Sequence, residues 1–226
     1  GGFCYISRAI DNGRVTLSGV TWLNALGASM NAGVIRTDGT APHVTLVDTT
    51  IDMSGSVAFS PIGCIDNAGQ FGTATAAVIT LDNAVLKKCS RDGIHMRVGF
   101  PTITMLNGAR IEGAGEYGIR TGAFAVSGAA VPTISLTGSQ ITGSGRSAIE
   151  MLAGGSLTMA NATVSGNGTV TPEAGLRLTG SFAYTLSMRH SSVTDNAGSA
   201  SGGGLVLQGN ASSSFDLGTK TSPGAN

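Results

Sequence analysis

The sequence predicts an all-β fold: a right-handed parallel β-helix, a solenoid of about seven coils with three short strands in each, formed as one domain over residues 1–226. Three observations predict it. A short apolar–hydroxyl–apolar phrase recurs through the chain. A residue type that tolerates left-handed backbone stands two places after each copy, and an apolar anchor follows at a nearly fixed offset. Self-similarity of this kind marks a solenoid, because one such repeat cannot bury its own apolar face and stacked repeats can.

The first strand of each coil is read from Val15-Thr16-Leu17, Val44-Thr45-Leu46, Ile79-Thr80-Leu81, Ile103-Thr104-Met105, Ile134-Ser135-Leu136, Leu157-Thr158-Met159 and Leu186-Ser187-Met188. Apolar and polar positions alternate with the period of two that a strand on a core requires. The turn column after it holds Gly19, Asp48, Asn83, Asn107, Gly138, Asn161 and His190, all types that accept a positive φ. The second strand carries the anchors Trp22, Ile51, Leu86, Ile111, Ile141, Val164 and Val193, with one extra residue before Ile111. Successive anchors lie 23 to 35 residues apart, with a mean of 28.5.

A third strand is read from Gly93-Ile94-His95-Met96, Gly118-Ile119-Arg120-Thr121, Ala148-Ile149-Glu150-Met151, Gly175-Leu176-Arg177-Leu178 and Gly204-Leu205-Val206-Leu207. It is blurred in the first two coils, around Val34 to Arg36 and Ile62 to Asp66. No segment has a helical period. The irregular spacing excludes the strict hexapeptide winding of left-handed helices, and right-handed crossovers are the rule for parallel strands. The Leu/Asn signature of a leucine-rich repeat is missing. Coil-length variation places long connections at Ser54 to Ala77, Thr121 to Val131 and Ala197 to Gly203, where solenoids commonly carry binding loops.

Composition narrows the function classes. Thirteen Lys+Arg balance thirteen Asp+Glu, and charged residues make up only 12% of the chain, about half the usual share of roughly 25%. Nothing supplies an electrostatic footprint for nucleic acid or a basic helix for a membrane surface. No apolar run approaches the roughly 20 residues of a membrane span, so membrane insertion is not expected. At 41% hydrophobic the chain is not disordered. Gly1-Gly2-Phe3-Cys4-Tyr5 already reads as strand, which suggests a fragment of a longer or processed chain.

The coil phrases, with turns such as Ser165-Gly166-Asn167-Gly168 and Thr142-Gly143-Ser144-Gly145, resemble right-handed parallel β-helix repeat proteins of the pectate-lyase-like superfamily. The tail Phe215-Asp216-Leu217-Gly218-Thr219, followed by Ser222-Pro223-Gly224-Ala225-Asn226, resembles a segment of secreted bacterial β-helix proteins with the DUF1565 domain. The resemblance implies an extracellular or cell-surface bacterial protein with polysaccharide lyases among its relatives. Such lyases use Arg or Lys on an outer strand face beside a cation-neutralised carboxylate.

The outward positions of the third strand give the candidate ligand-binding ladder His95, Arg120, Glu150 and Arg177, ending in Val206. In register, Arg120 and Arg177 flank Glu150, either as a cleft for an acidic sugar or as alternating charges on a solvated face. If the chain is an enzyme, Arg120, Glu150 and Arg177 are its catalytic candidates. No cofactor and no metal ligand set is expected, with calcium entering only for a lyase. Asp48 is explained by its turn, Asp52, Asp66, Asp82 and Asp92 are placed in turns, and no Gly-Gly-x-Gly-x-Asp nonapeptide occurs.

The first-strand hydroxyls Thr16, Thr45, Thr80, Thr104, Ser135, Thr158 and Ser187 form a ladder that raises ice binding. The neighbouring second-strand column Thr21, Thr50, Val85, Arg110, Gln140, Thr163 and Ser192 is broken by Arg110 and Gln140. His43, His95 and His190 occupy three different repeat positions. Cys64 and Cys89 could pair, leaving Cys4 odd, or all three could be small buried thiols. The chain is therefore expected to be a structural, adhesive or glycan-binding module. Its expected partner is a polysaccharide or a surface or matrix component, with self-association through the solenoid ends as a further possibility. A polysaccharide lyase or hydrolase and an ice-binding protein are the alternatives.

Overall fold

The computed structural model describes residues 13–23, 34–37, 40–55, 63–67, 76–124, 131–198 and 202–218. Every regular element among them is a strand, and all strands join three parallel sheets. The first sheet stacks eight strands: Arg14–Ser18, His43–Val47, Val78–Asp82, Thr102–Leu106, Thr133–Thr137, Gly155–Ala160, Tyr184–Arg189 and Ser214–Asp216. The second stacks seven: Thr21–Leu23, Thr50–Asp52, Val85–Lys87, Arg110–Glu112, Gln140–Thr142, Thr163–Ser165 and Ser192–Thr194. The third also stacks seven: Ile35–Thr37, Gly63–Asn67, Asp92–Val98, Ile119–Phe124, Ile149–Met151, Leu176–Thr179 and Leu205–Gln208. Seven coils separated by six steps make a parallel β-solenoid of about six turns, with three strands per coil.

The repeat columns are physical columns. Val15, Val44, Ile79, Ile103, Ile134, Leu157 and Leu186 pair directly from coil to coil, as do the anchors from Trp22 to Val193. Apart from Val15, these residues and the inward Ile and Leu of the third sheet form one continuous core, with Trp22 and Val193 partly buried against it. Burial of each such side chain is worth about 1.5–3 kcal/mol, so the core is the principal source of stability.

All seven residues of the turn column have left-handed backbone, from φ 47° at Asn83 to φ 66° at Gly19. The extra residue before Ile111 is taken up by Gly108, which follows Asn107 and is itself at φ 84°. Gly118 answers a different need: a Cβ there would lie 2.6 Å from the Ala148 carbonyl oxygen and 2.4 Å from Ile141 Cγ2. Glycine lets the third strand approach both the next coil and the core.

Three sequence expectations need correction or completion. Asp66 and Asp92 are not turn residues; they lie within and at the start of third-sheet strands and are fully buried. Asp52 and Asp82 likewise end strands rather than occupy turns. Cys64 and Cys89 are joined in a disulfide that links two adjacent coils, and neither is a free thiol. Cys4, Ile62, the opening strand, the tail from residue 219 and most of the three long connections lie outside the described residues.

Candidate functional site

The outward column of the third sheet is longer than its sequence signature. Arg36 pairs in register with Asp66, Asp66 with His95, His95 with Arg120, Arg120 with Glu150, Glu150 with Arg177, and Arg177 with Val206. The four predicted members are therefore brought together, and Arg36 and Asp66 extend the ladder. Degenerate third phrases in the first two coils hid these two.

A second ladder runs beside the first. Arg91, Glu116, Arg146 and Glu173 each stand three residues before an inward Ile or Leu of the third strand. The Glu116 amide donates to the Arg91 carbonyl, and the Arg146 amide to the Glu116 carbonyl. Arg91 Nε and Nη2 donate to the two oxygens of the Glu116 carboxylate, at 3.0 and 3.1 Å. Arg146 Nε donates to Glu173 Oε1 at 3.0 Å, and the Ser147 hydroxyl donates to Glu173 Oε2 at 3.0 Å. The constant offset of three was present in the sequence and went unread. Tyr117 joins the ladders, its ring centre 4.8 Å from the Arg120 guanidinium and 4.9 Å from that of Arg146. Such cation–π contacts are worth about 0.5–2 kcal/mol.

Within the first ladder the carboxylates differ. The Glu150 side chain is only 2% exposed and lies between two arginines. Its Oε2 sits 2.9 Å from Arg120 Nε without hydrogen-bond alignment, and its Oε1 accepts from Arg177 Nη1. Glu150 is thus buried beneath its partners and does not decorate a solvated face. Asp66 is fully buried, and neither carboxylate oxygen accepts a hydrogen bond. Arg97 Nε at 3.5 Å and His95 Nδ1 at 4.0 Å are nearby nitrogens. Asp92 Oδ1 accepts the Tyr117 amide at 3.1 Å, while its Oδ2 lies 3.0 Å from His95 Nδ1 without hydrogen-bond alignment.

Environment sets the charge states. Burial lifts the Asp66 carboxyl above its ordinary range, against the pull of the Arg97, His95 and Arg36 charges. Glu116 also suffers desolvation, but the Arg91 hydrogen bonds and the charges of Arg91, Arg146 and Arg120 outweigh it and hold the group below the usual range. Burial, aided by the Glu150 and Glu173 charges, raises the Tyr117 phenol and keeps it neutral.

The two ladders, with Asp92 and Arg97 beside them, hold eleven of the chain's 26 charged residues: Arg36, Asp66, Arg91, Asp92, Arg97, Glu116, Arg120, Arg146, Glu150, Glu173 and Arg177. In a chain this poor in charge, that concentration singles out one face of the solenoid. The arginine heads remain partly exposed, with 37% of the Arg97, 26% of the Arg120 and 36% of the Arg177 side chain accessible. Buried acids therefore lie beside arginine side chains that remain partly in solvent. Among the described residues, no group of three or more His, Cys, Asp or Glu is disposed to hold a metal ion.

The first sheet presents the opposite chemistry. Its hydroxyl column from Thr16 to Ser187 is continuous and in register. A second column, Thr102, Thr133, Ser156, Thr185 and Ser214, stands two residues away on the same strands. The second-sheet column from Thr21 to Ser192 pairs as expected and is interrupted by Arg110 and Gln140. Of the Asn-x-Ser/Thr positions, Asn167 is buried, with its side chain hydrogen-bonded to Asn196, whereas Asn161 and Asn210 are exposed. No family model, curated protein or solved structure matches this chain.

Proposed function

We propose that the chain is a secreted or cell-surface β-helix module whose third-sheet face binds an acidic glycan. The observation that carries this reading is the row of partly exposed arginines paired with buried carboxylates. Arg97, Arg120 and Arg177 are forks suited to carboxylate recognition, and the hydrogen bond that already holds Arg177 on Glu150 reduces its ordering cost on binding. The buried disulfide supports an oxidising compartment, as does the resemblance of the coils to pectate-lyase-like proteins. Arginine keeps its charge at every relevant pH, which suits an anion clamp better than a base.

The test is affinity for polygalacturonate and alginate against neutral dextran, with and without calcium and at two salt concentrations. Binding should be selective for the polyuronates and weaken with salt. Arg97→Ala and Arg177→Ala should each weaken it about tenfold, the worth of one charge-assisted contact. Equal affinity for dextran, or unchanged affinity in both variants, overturns the reading. Ultraviolet absorbance of an unsaturated product in the same samples would make the face catalytic as well.

A second reading is favoured by one observation, the paired hydroxyl columns of the first sheet. Between Thr102 and Ser187 they form a grid of roughly 4.8 by 6.6 Å, free of charge and suited to an ordered surface such as ice. Thermal hysteresis lost in Thr158→Tyr would support it; none in the unaltered chain would end it.

A further inference from the structure

We infer that Asp66, Asp92 and His95 act as one proton-exchanging unit beneath the third-sheet face and set its grip on an anion, with uptake in mild acid and release above neutrality. This rests on the acidic-glycan reading and adds its regulation. The geometry is that of an imidazole between two buried acids. His95 Nδ1 lies 3.0 Å from Asp92 Oδ2 and 4.0 Å from Asp66 Oδ1, and all three atoms are buried without a hydrogen bond. Asp92 is held in place by the Tyr117 amide on its other oxygen. Asp66 has no such support on either oxygen. Groups this close exchange protons as a set, and their titration belongs to the cluster.

The charged surroundings make that exchange consequential. Arg36 faces Asp66 from the preceding coil, Arg97 stands on the strand of His95, and Arg120 faces His95 from the next coil. Arg91 and Glu116, paired with each other, lie ahead of these strands, and Glu150 and Arg177 continue the column beyond Arg120. Arginines keep their charge at every relevant pH, so only the acid–imidazole unit changes. Histidine is the side chain whose ordinary titration falls between about pH 5 and 8. The burial that lifts Asp66 moves its carboxyl toward the same interval. With both groups protonated, Arg36, Arg97 and Arg120 are opposed by no net charge from the unit. With both deprotonated, two negative charges lie beneath the same arginines and weaken their attraction for an anion.

The experiment measures polygalacturonate affinity of the full chain from pH 5 to 8 at constant ionic strength, where the probe stays ionised. His95→Gln and Asp66→Asn are compared with the unaltered chain, and His43→Gln serves as control. A nuclear magnetic resonance titration of the His95 ring is recorded with and without Asp66→Asn. Affinity of the unaltered chain should fall at least about tenfold over this range. Most of the fall should vanish in His95→Gln and in Asp66→Asn and persist in His43→Gln, and Asp66→Asn should displace the ring titration. A flat profile in the unaltered chain, an undiminished fall in His95→Gln, or a ring titration indifferent to Asp66→Asn overturns the inference. Should His95→Gln fail to fold, Asp66→Asn and the ring titration decide the matter. No binding at any pH with a displaced ring titration sinks the glycan reading and upholds the proton unit.

Discussion

Glu150 and Asp66 occupy the same column of the same sheet, and both are buried, but their surroundings differ. Glu150 lies between the guanidinium groups of Arg120 and Arg177, while Asp66 has charges nearby and no hydrogen bond to either oxygen. A buried carboxylate that accepts a hydrogen bond from one cation and has a second in ion-pair range is a structural tie, whereas one left without any donor is held at a cost. The contrast separates a clasped half of the ladder, from Arg120 to Arg177, from an under-satisfied half, from Arg36 to His95.

The strongest way to break the contrast is to remove the clasp. Arg120→Ala/Arg177→Ala strips Glu150 of both its charged partners and its cover, and at about 1.5–3 kcal/mol per charged contact should destabilise the fold by about 3–4 kcal/mol near neutral pH. Urea unfolding at pH 7 and pH 4 checks it. Much of the loss should return at the lower pH, where the isolated carboxyl takes up a proton. An unchanged midpoint at both values would show that the arginines are surface decoration.

The under-satisfied half has a covalent support that the clasped half lacks. Cys64 lies two residues before Asp66, Cys89 three before Asp92, and their disulfide closes a separation of 25 residues. Cys64→Ser/Cys89→Ser should cost about 3 kcal/mol by the chain-entropy account of such a loop. Hydrogen exchange should show the opening concentrated around Gly63–Asn67 and Asp92–Val98 rather than around Glu150. Uniform loss along the solenoid would remove any special link between the disulfide and the acid cluster.

The repeat made the fold legible because each column answers one local requirement. Asn83, Asn107 and Asn161 mark a left-handed turn that few side chains accept, and Ile51, Leu86 and Ile141 mark a single buried row. Half of the charged face was legible for the same reason, since His95, Arg120, Glu150 and Arg177 follow a regular Gly or Ala and an inward apolar residue. Asp66 was not, because the phrase around it is degenerate and register exists only once the coils pair. Burial was also hidden: Glu150 occupies an outward position and is covered by its arginine neighbours, which alternation cannot report. The second hydroxyl column is not legible in the repeat phrase, because it stands two residues before the first on the same strands and becomes a column only once the coils pair.

The smallest expected effect sharpens the comparison most directly. The folded-state pKa of Asp66 is raised above its unfolded value, chiefly by burial. Between those two values the folded chain binds more proton than the unfolded chain, so this group's contribution to stability declines as pH rises through the interval. Asp66→Asn removes the titrating charge while keeping a side chain of the same shape beside Arg36, Arg97, His95 and Asp92. The variant should therefore be more stable than the unaltered chain at pH 8 and no more stable at pH 3, as measured by thermal unfolding across that range. Glu150→Gln, read in the same way, should show the opposite sign at pH 8, because it discards a carboxylate that two arginines hold. Matching signs at the two positions would mean that the clasp, and not the burial, had been misjudged.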